Sequence, residues 1–196
     1  MDTGDAPSAS QEKQWVEACQ AGDLAQFDPL YRQYVDQIYA YLYRRLLRKD
    51  SAEDLTSVTF MRALEKIHQY KSAKGPFAAW LYTIAKNALT DHFRTLRPHA
   101  DIETVWDLSS DEDVEMNVKT QLAKSEVREA LQKLDASKRE VVLLRLWEGL
   151  SYKEIAAITG KTETNCKVIF ARAVEALRKE MPLAAFLIFL ASPFRL

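Results

Sequence analysis

Apolar residues recur along this chain at helical spacing, and no useful run alternates as a strand would. A short first helix is predicted over 11–20, ended by the break at Gly22-Asp23. Phe27, Leu30, Tyr31, Tyr34, Val35, Ile38, Tyr39, Leu42 and Leu46 then keep a three-four rhythm. They predict a long helix starting at Leu24 behind Asp23 as its cap, or slightly later because of Pro29. Its last turn carries Arg44, Arg45, Arg48 and Lys49, favourable at the negative end of the helix dipole. A further helix, capped by Asp50 or Ser51, places Leu55, Val58, Phe60, Met61, Leu64 and Ile67 on its apolar side. Gly75-Pro76 closes a polar loop, and a helix over 77–96 comes next. Phe77, Trp80, Leu81, Ile84, Ala85, Ala88, Leu89 and Phe93 lie on one of its sides. Tyr82, Lys86, Asn87, Asp91, His92 and Arg94 lie on the other.

The second half repeats the rhythm after an aperiodic stretch. Helices are predicted over 118–134 and, with Ser137 as cap, over 138–147. Residues 151–180 then read as a short helix, a tight turn and a longer helix. Ser151 and Glu154 have capping-box spacing. Ala156 is small enough to let a helix cross closely. Gly160 can take the positive φ that a turn needs, and Thr162 can cap the longer helix. Cys166, Ile169, Phe170, Ala173 and Leu177 form a buried stripe. Thr164, Lys167, Val168, Ala171 and Arg172 face the other way. This pattern fits a helix-turn-helix that lays its second helix in a DNA major groove; the alternative is an ordinary helical hairpin.

Composition supports a globular, all-α chain: of 196 residues, 47% are hydrophobic and 28% charged, with only 5 Gly and 6 Pro. A net charge of −1 conceals alternating blocks. Residues 1–60 sum to −4, 61–99 to +5, 100–116 to −7 and 117–181 to +4. Two basic segments around an acidic one fit two anion-binding surfaces and a linker that avoids nucleic acid. Lys71 and Lys74 flank the loop before the 77–96 helix, whose aromatics alternate with Lys86, Asn87 and Arg94. These are the parts required to stack an unpaired base and hold its backbone. Phe77, Trp80 and Phe93 also read simply as core.

Other chemistry is missing. There is no nucleophile elbow, P-loop or dinucleotide fingerprint, so no catalytic residue and no enzymatic activity is expected. His68, His92 and His99 lack metal-ligand spacing, and no cofactor is expected. Cys19 and Cys166 have neither disulfide nor zinc spacing, and Cys166 falls on the buried stripe. The polar N-terminus is not a signal peptide, so a cytoplasmic location is expected. The apolar run LAAFLIFLA after Pro182 is too short to span a bilayer, which takes about 20 residues. It reads as a helix docked on the C-terminal domain, or as an interaction segment for an inhibitor or for the chain's own N-terminal domain.

Three segments together, SAEDLTSVTFMRAL, FAAWLYTIAKNALTDHFR and EVVLLRLWEGLSYKEIAAITG, followed by RAVEALR, resemble the extracytoplasmic-function (ECF) group of bacterial sigma-70 family factors. The resemblance covers about 24–97 and 118–179. It implies two small helical domains joined by an acidic linker. The expected division is a tail and short helix at 1–22, a region-2-like bundle at 23–98, a linker at 99–117, a region-4-like helix-turn-helix domain at 118–181 and an apolar tail at 182–196. It implies core RNA polymerase and promoter DNA as partners, with a cognate anti-sigma factor. Glu53, Asp54 and Phe60 would meet the polymerase. Lys71, Ser72, Lys74, Trp80, Lys86, Asn87 and Arg94 would open and read the −10 element. Thr162, Thr164, Lys167, Val168, Ala171 and Arg172 would read the −35 element.

The chain departs from the family pattern in two places. Ser57-Val58 stands where Gln-Glu is usual, which removes part of the polymerase contact. Asn165, Cys166, Lys167, Val168 and Ile169 replace a more basic run, and Val174 replaces an Arg, so fewer phosphate contacts are expected. The alternatives are a helix-turn-helix regulator without sigma activity and a sigma-like interaction protein.

Overall fold

The computed structural model describes residues 9–46, 48–96 and 118–191. All regular elements among them are helical: α1 (Ala9–Gln20), α2 (Phe27–Leu46), α3 (Lys49–Glu65), α4 (Phe77–Leu96), α5 (Val118–Lys133), α6 (Ala136–Leu146), α7 (Tyr152–Thr159), α8 (Glu163–Glu180) and α9 (Leu183–Ala191), with 3-10 turns at Leu24–Gln26, Ile67–Gln69 and Ser72–Lys74. The acidic segment expected as a linker, with the extreme N-terminal tail, lies outside the described residues.

The helices form two bundles. In the first, α2, α3 and α4 bury Leu30, Ile38, Leu42, Ala52, Ala63, Ile67, Phe77, Leu81 and Ala85. Helix α1, grouped in the sequence with the tail at 1–22, adds Val16 and Cys19 to this core. It is further tied by a Tyr34–Glu12 hydrogen bond from the phenol to the carboxylate. In the second bundle, α5, α6, α8 and α9 bury Leu131, Val142, Leu143, Ala173, Leu177 and Phe189. The apolar tail therefore docks on the C-terminal bundle, where Ala185, Phe186 and Phe189 are buried. Among the described residues no helix is long and apolar enough to cross a membrane.

Several local expectations need correction. Leu24 begins a 3-10 turn, and α2 starts at Phe27, with Asp23 making no side-chain cap. Pro29 thereby sits in the first turn, where its missing N–H costs nothing. Helix α3 begins at Lys49 behind Arg48, so neither Asp50 nor Ser51 caps it. Asp135, not Ser137, caps α6, its carboxylate accepting from Lys138 N at 2.8 Å.

The two bundles also pack directly on one another. Val141 and Leu144 of α6, with Leu150, Ile155 and Ile158 around α7, join the core of the first bundle. Helix α6 is thus shared, since its Val142 and Leu143 point into the second core.

Candidate nucleic-acid interfaces

The first surface is α4 and the loop before it. Tyr70 anchors the loop from within: its ring meets Phe77 edge-on at 5.5 Å and Trp80 at 5.4 Å. Its hydroxyl donates to Gly75 O at 3.0 Å. From α1, Gln20 Nε2 donates to the carbonyls of Ile67 and Tyr70, both at 2.9 Å. Gly75 has φ +150°, which L side chains rarely adopt, so glycine is required where the loop turns into α4. Held this way, the loop leaves Lys71, Ser72 and Lys74 exposed.

Along α4, Trp80, Asn87 and Arg94 are seven residues apart and so share one stripe. Trp80 is half-buried, while Asn87 and Arg94 are exposed. The Trp80 ring packs on Phe77 at 5.5 Å, and part of it is left open to solvent. The next stripe differs from expectation. Tyr82, read as outward-facing, is 1% exposed and packs edge-on against Tyr41 at 5.2 Å. Lys86, one turn on, is half-buried and pairs with Glu140 of α6 at 2.7 Å. The second bundle covers this side of α4.

The second surface is built by α7 and α8. Ser151 Oγ accepts from Glu154 N at 3.3 Å, and Ser151 N donates to Glu154 Oε2 at 2.8 Å, completing the capping box. Gly160 takes φ +71° at the turn. Thr162 Oγ1 accepts from Asn165 N at 3.1 Å and starts α8. Cys166, Ala173 and Leu177 hold α8 in place, with Ile169 and Phe170 partly buried. Thr162, Thr164, Lys167, Val168, Ala171 and Arg172 are all exposed on the outer face. Lys167 Nζ is 2.7 Å from Glu163 Oε1, and this ion pair holds the Glu163 carboxyl below the usual range.

A third set lies on α3. Glu53 and Asp54 are exposed, and Ser57 beside them turns its hydroxyl back to Glu53 O at 3.0 Å. Phe60, grouped with them as a partner contact, is buried at 5% exposure. Its ring packs edge-on against Tyr31 at 4.8 Å and Phe27 at 6.4 Å. It shapes α3 from below and presents no surface. Val58 likewise packs on the core. Among the described residues no His/Cys/Asp/Glu group is arranged to hold a metal ion.

Residues 30–98 match the family Sigma-70 region 2, and residues 124–177 match Sigma-70 region 4. The chain is 31% identical over 155 residues to the ECF RNA polymerase sigma factor SigM of Bacillus subtilis, covering 77% of this chain and 92% of that protein. The chain belongs to the ECF group of the sigma-70 family. It is also 39% identical over 170 residues to the ECF RNA polymerase sigma factor BldN of Streptomyces coelicolor, which covers 85% of this chain and 64% of that longer protein. Among solved structures, CnrH in complex with the cytosolic domain of CnrY shares the fold, with a TM-score of 0.63 at 21% identity over 88% of this chain and 96% of that one. The sigma factor RpoE in complex with the anti-sigma factor NepR, from Bartonella quintana, aligns with a TM-score of 0.54 at 25% identity over 78% of this chain and 94% of that one.

Within this ECF sigma factor, the residues that sequence reasoning missed sit between the bundles. Arg44 and Arg45 are more than helix-end charges: both face Glu148, beyond the end of α6. A four-residue spacing, Glu140, Leu144, Glu148, was the available signal. It reads as an ordinary amphipathic edge until a partner surface is known.

Proposed function

We propose that this chain is the promoter-recognition subunit of RNA polymerase, binding the core enzyme, directing it to promoters and starting DNA melting. The observation that carries this reading is that one chain presents two DNA-suited surfaces of different kinds. The face of α8 is an exposed strip on a scaffold capped at Ser151 and Thr162 and suits the major groove of duplex DNA. The loop and α4 combine a half-buried indole with exposed Lys, Ser and Asn groups and suit an opened strand.

Lys71, Ser72, Lys74, Trp80, Asn87 and Arg94, with Lys86, engage the −10 element in this scheme. An extruded base costs a few kcal/mol to unstack, and binding in the loop offsets that cost. Thr162, Thr164, Lys167, Val168, Ala171 and Arg172 engage the −35 element, Val168 being placed to meet a thymine methyl. Glu53 and Asp54 meet the polymerase. The proposed division of labour runs over 23–98 and 118–181, with a cognate anti-sigma factor as regulator, by analogy with the RpoE–NepR complex. The protein itself catalyses nothing: the surfaces bind, orient and separate strands. A regulator using only the helix-turn-helix has no use for α4 and its loop.

Run-off transcription with purified core polymerase on genomic fragments tests the proposal. Promoter-specific transcripts that depend on added protein are expected. Their absence on every template, with the protein folded, would sink it.

A further inference from the structure

Helix α1 carries no residue of the proposed DNA surfaces, yet its last side chain reaches the loop before α4. Gln20 ends α1 and is half-buried. Its Nε2 donates to the carbonyls of Ile67 and Tyr70, each at 2.9 Å. A carboxamide nitrogen has two N–H groups, so both bonds can be made at once. The Ile67 carbonyl also accepts from Tyr70 N at 3.1 Å, which closes the 3-10 turn. Tyr70 itself has left that turn, with extended backbone at φ −65° and ψ 135°. Gln20 thus gives its carbonyl a partner that the turn does not.

The bond is anchored on both sides. Val16 and Cys19 bury α1 in the first core, and Glu12 ties it to Tyr34. The Gln20 backbone therefore has little freedom to drift. On the loop side, the Tyr70 ring rests on Phe77 and Trp80, and its hydroxyl closes the far end of the loop on Gly75 O at 3.0 Å. Lys71, Ser72 and Lys74 span the stretch between these two ties, and all three are exposed. A cleft of about 330 Å³ opens beside them, lined by Glu12, Val16 and Glu17 of α1 and by Ser72 and Pro76 of the loop. Hydrogen bonds at its base, rather than side chains packed into α1, set where this part of the loop stands.

We propose that Gln20 is a positioning residue for strand opening: by fixing the Ile67 and Tyr70 carbonyls, it sets where Lys71, Ser72 and Lys74 stand relative to Trp80. This rests on the DNA-opening role proposed for the loop and α4. A base leaving its stack is captured only if the loop is already in place. A preformed loop meets it without an ordering cost. A loose loop captures it only for the fraction of time it spends in position. Gln20 touches no DNA in this scheme, and neither the α3 nor the α8 surface involves the loop.

The test uses the full chain, core polymerase and a promoter mapped by run-off transcription. Gln20→Met keeps the side-chain length and removes both donors. Gln20→Glu keeps the shape and sets a carboxylate against two carbonyl oxygens. Permanganate reactivity, followed against holoenzyme concentration, separates promoter affinity from the limiting rate of opening. The same promoter premelted by mismatches across the −10 element is the control. Backbone hydrogen exchange in the free protein reads the loop, and circular dichroism reads helix content.

Both variants should keep helix content, polymerase affinity and the half-saturating holoenzyme concentration of the wild type. The Lys74 and Gly75 amides, which donate to Lys71 O at 2.9 Å and Ser72 O at 3.2 Å, should exchange faster while those of α4 do not change. If the loop without its Gln20 bonds is in place about one-tenth of the time, the limiting rate falls about tenfold. On the premelted promoter the difference should vanish. Unchanged loop exchange overturns the proposal, and so does faster exchange with an unchanged limiting rate. Weaker polymerase and promoter binding together would mark a merely structural residue and overturn it too. Should Gln20→Met lose helix content, Gln20→Glu decides by the same readings; loss in both makes Gln20 a folding residue and overturns the proposal. The wild type separates the two failures. With promoter-specific transcripts from the wild type, these results overturn the positioning role alone; without them, the promoter-reading function falls first and this role with it.

Discussion

At the scale of single residues, caps decide where helices begin. Asp135 accepts from Lys138 N at 2.8 Å, and Lys138 Nζ stands 2.6 Å from its other oxygen. Replacing an N-cap aspartate with alanine costs about 1 kcal/mol, so Asp135→Ala should lower the urea midpoint measurably while Asp135→Asn should change it little. The same carboxyl is held below its ordinary pKa, chiefly by the hydrogen bond from the Lys138 side chain. A depressed carboxyl contributes stability above the unfolded carboxylate range, about pH 4, and loses it as pH falls through the lowered value. Urea titrations between pH 6 and 3 should show Asp135→Asn losing less stability on acidification than the parent. Equal losses in both proteins would mean that the pairing adds nothing.

At the scale of elements, α8 carries the sharpest prediction. Its exposed face has Lys167 and Arg172 among mostly neutral residues, so few phosphate contacts are expected of it. Changing both to Ala should lower −35-dependent transcription and reduce the slope of log affinity against log salt by about 1 for each phosphate no longer neutralised. Binding to core polymerase should persist; if it disappears, that face of α8 has been misassigned. The tail helix makes a different prediction. Phe186 and Phe189 are buried against the second bundle, and fully burying a side chain of this kind contributes about 1.5–3 kcal/mol. A chain ending at Met181 should therefore unfold its C-terminal bundle at markedly lower urea. An unchanged midpoint would show α9 to be only loosely attached.

These elements also show what was legible in advance. The α7–α8 unit was readable because its signals are local: Ser151 with Glu154, Gly160, Thr162 and a stripe of apolar residues lie within one stretch of chain. The α6 start was misplaced by two residues because Asp135 and Ser137 are both good caps, and only the geometry of the preceding turn selects between them. Periodicity put Phe60 on the apolar side of α3, and only the family resemblance made it a polymerase contact; Tyr82 was misplaced by periodicity itself. Sequence periodicity tells which residues fall on one side of a helix, but not how many sides are covered. Helix α3 buries Phe60 under Tyr31, and α4 is covered on a second side by the other bundle.

At the scale of the whole molecule, the seam between bundles was invisible in the sequence because it joins residues far apart in the chain, 104 positions for Arg44 and Glu148. The basic segments, +5 over 61–99 and +4 over 117–181, were read only as anion-binding surfaces. Across the seam, Glu140 and Glu148 meet Lys86, Arg44 and Arg45. Two tyrosines report on the same seam. Burial pushes the Tyr41 phenol up to about 12, despite the opposing charge of Arg45. Burial also raises Tyr82, with the Glu148 carboxylate adding to the shift. The neutral phenols are favoured in the folded protein, so their contribution is complete below about pH 10, the ordinary phenol value. It is lost as pH rises from there through the raised values. Urea midpoints should accordingly fall between pH 9.5 and 11.5. Tyr82 supplies the control, because its hydroxyl is buried with no hydrogen-bond partner among the described residues. Removing an unsatisfied buried hydroxyl relieves a desolvation cost of about 1–3 kcal/mol. Tyr82→Phe should therefore be as stable as the parent or more stable at pH 7, and should lose less stability at pH 11. A destabilised Tyr82→Phe at pH 7 would show that the hydroxyl has a partner and that the seam is wetter than the packing of α4 against α6 and α7 implies.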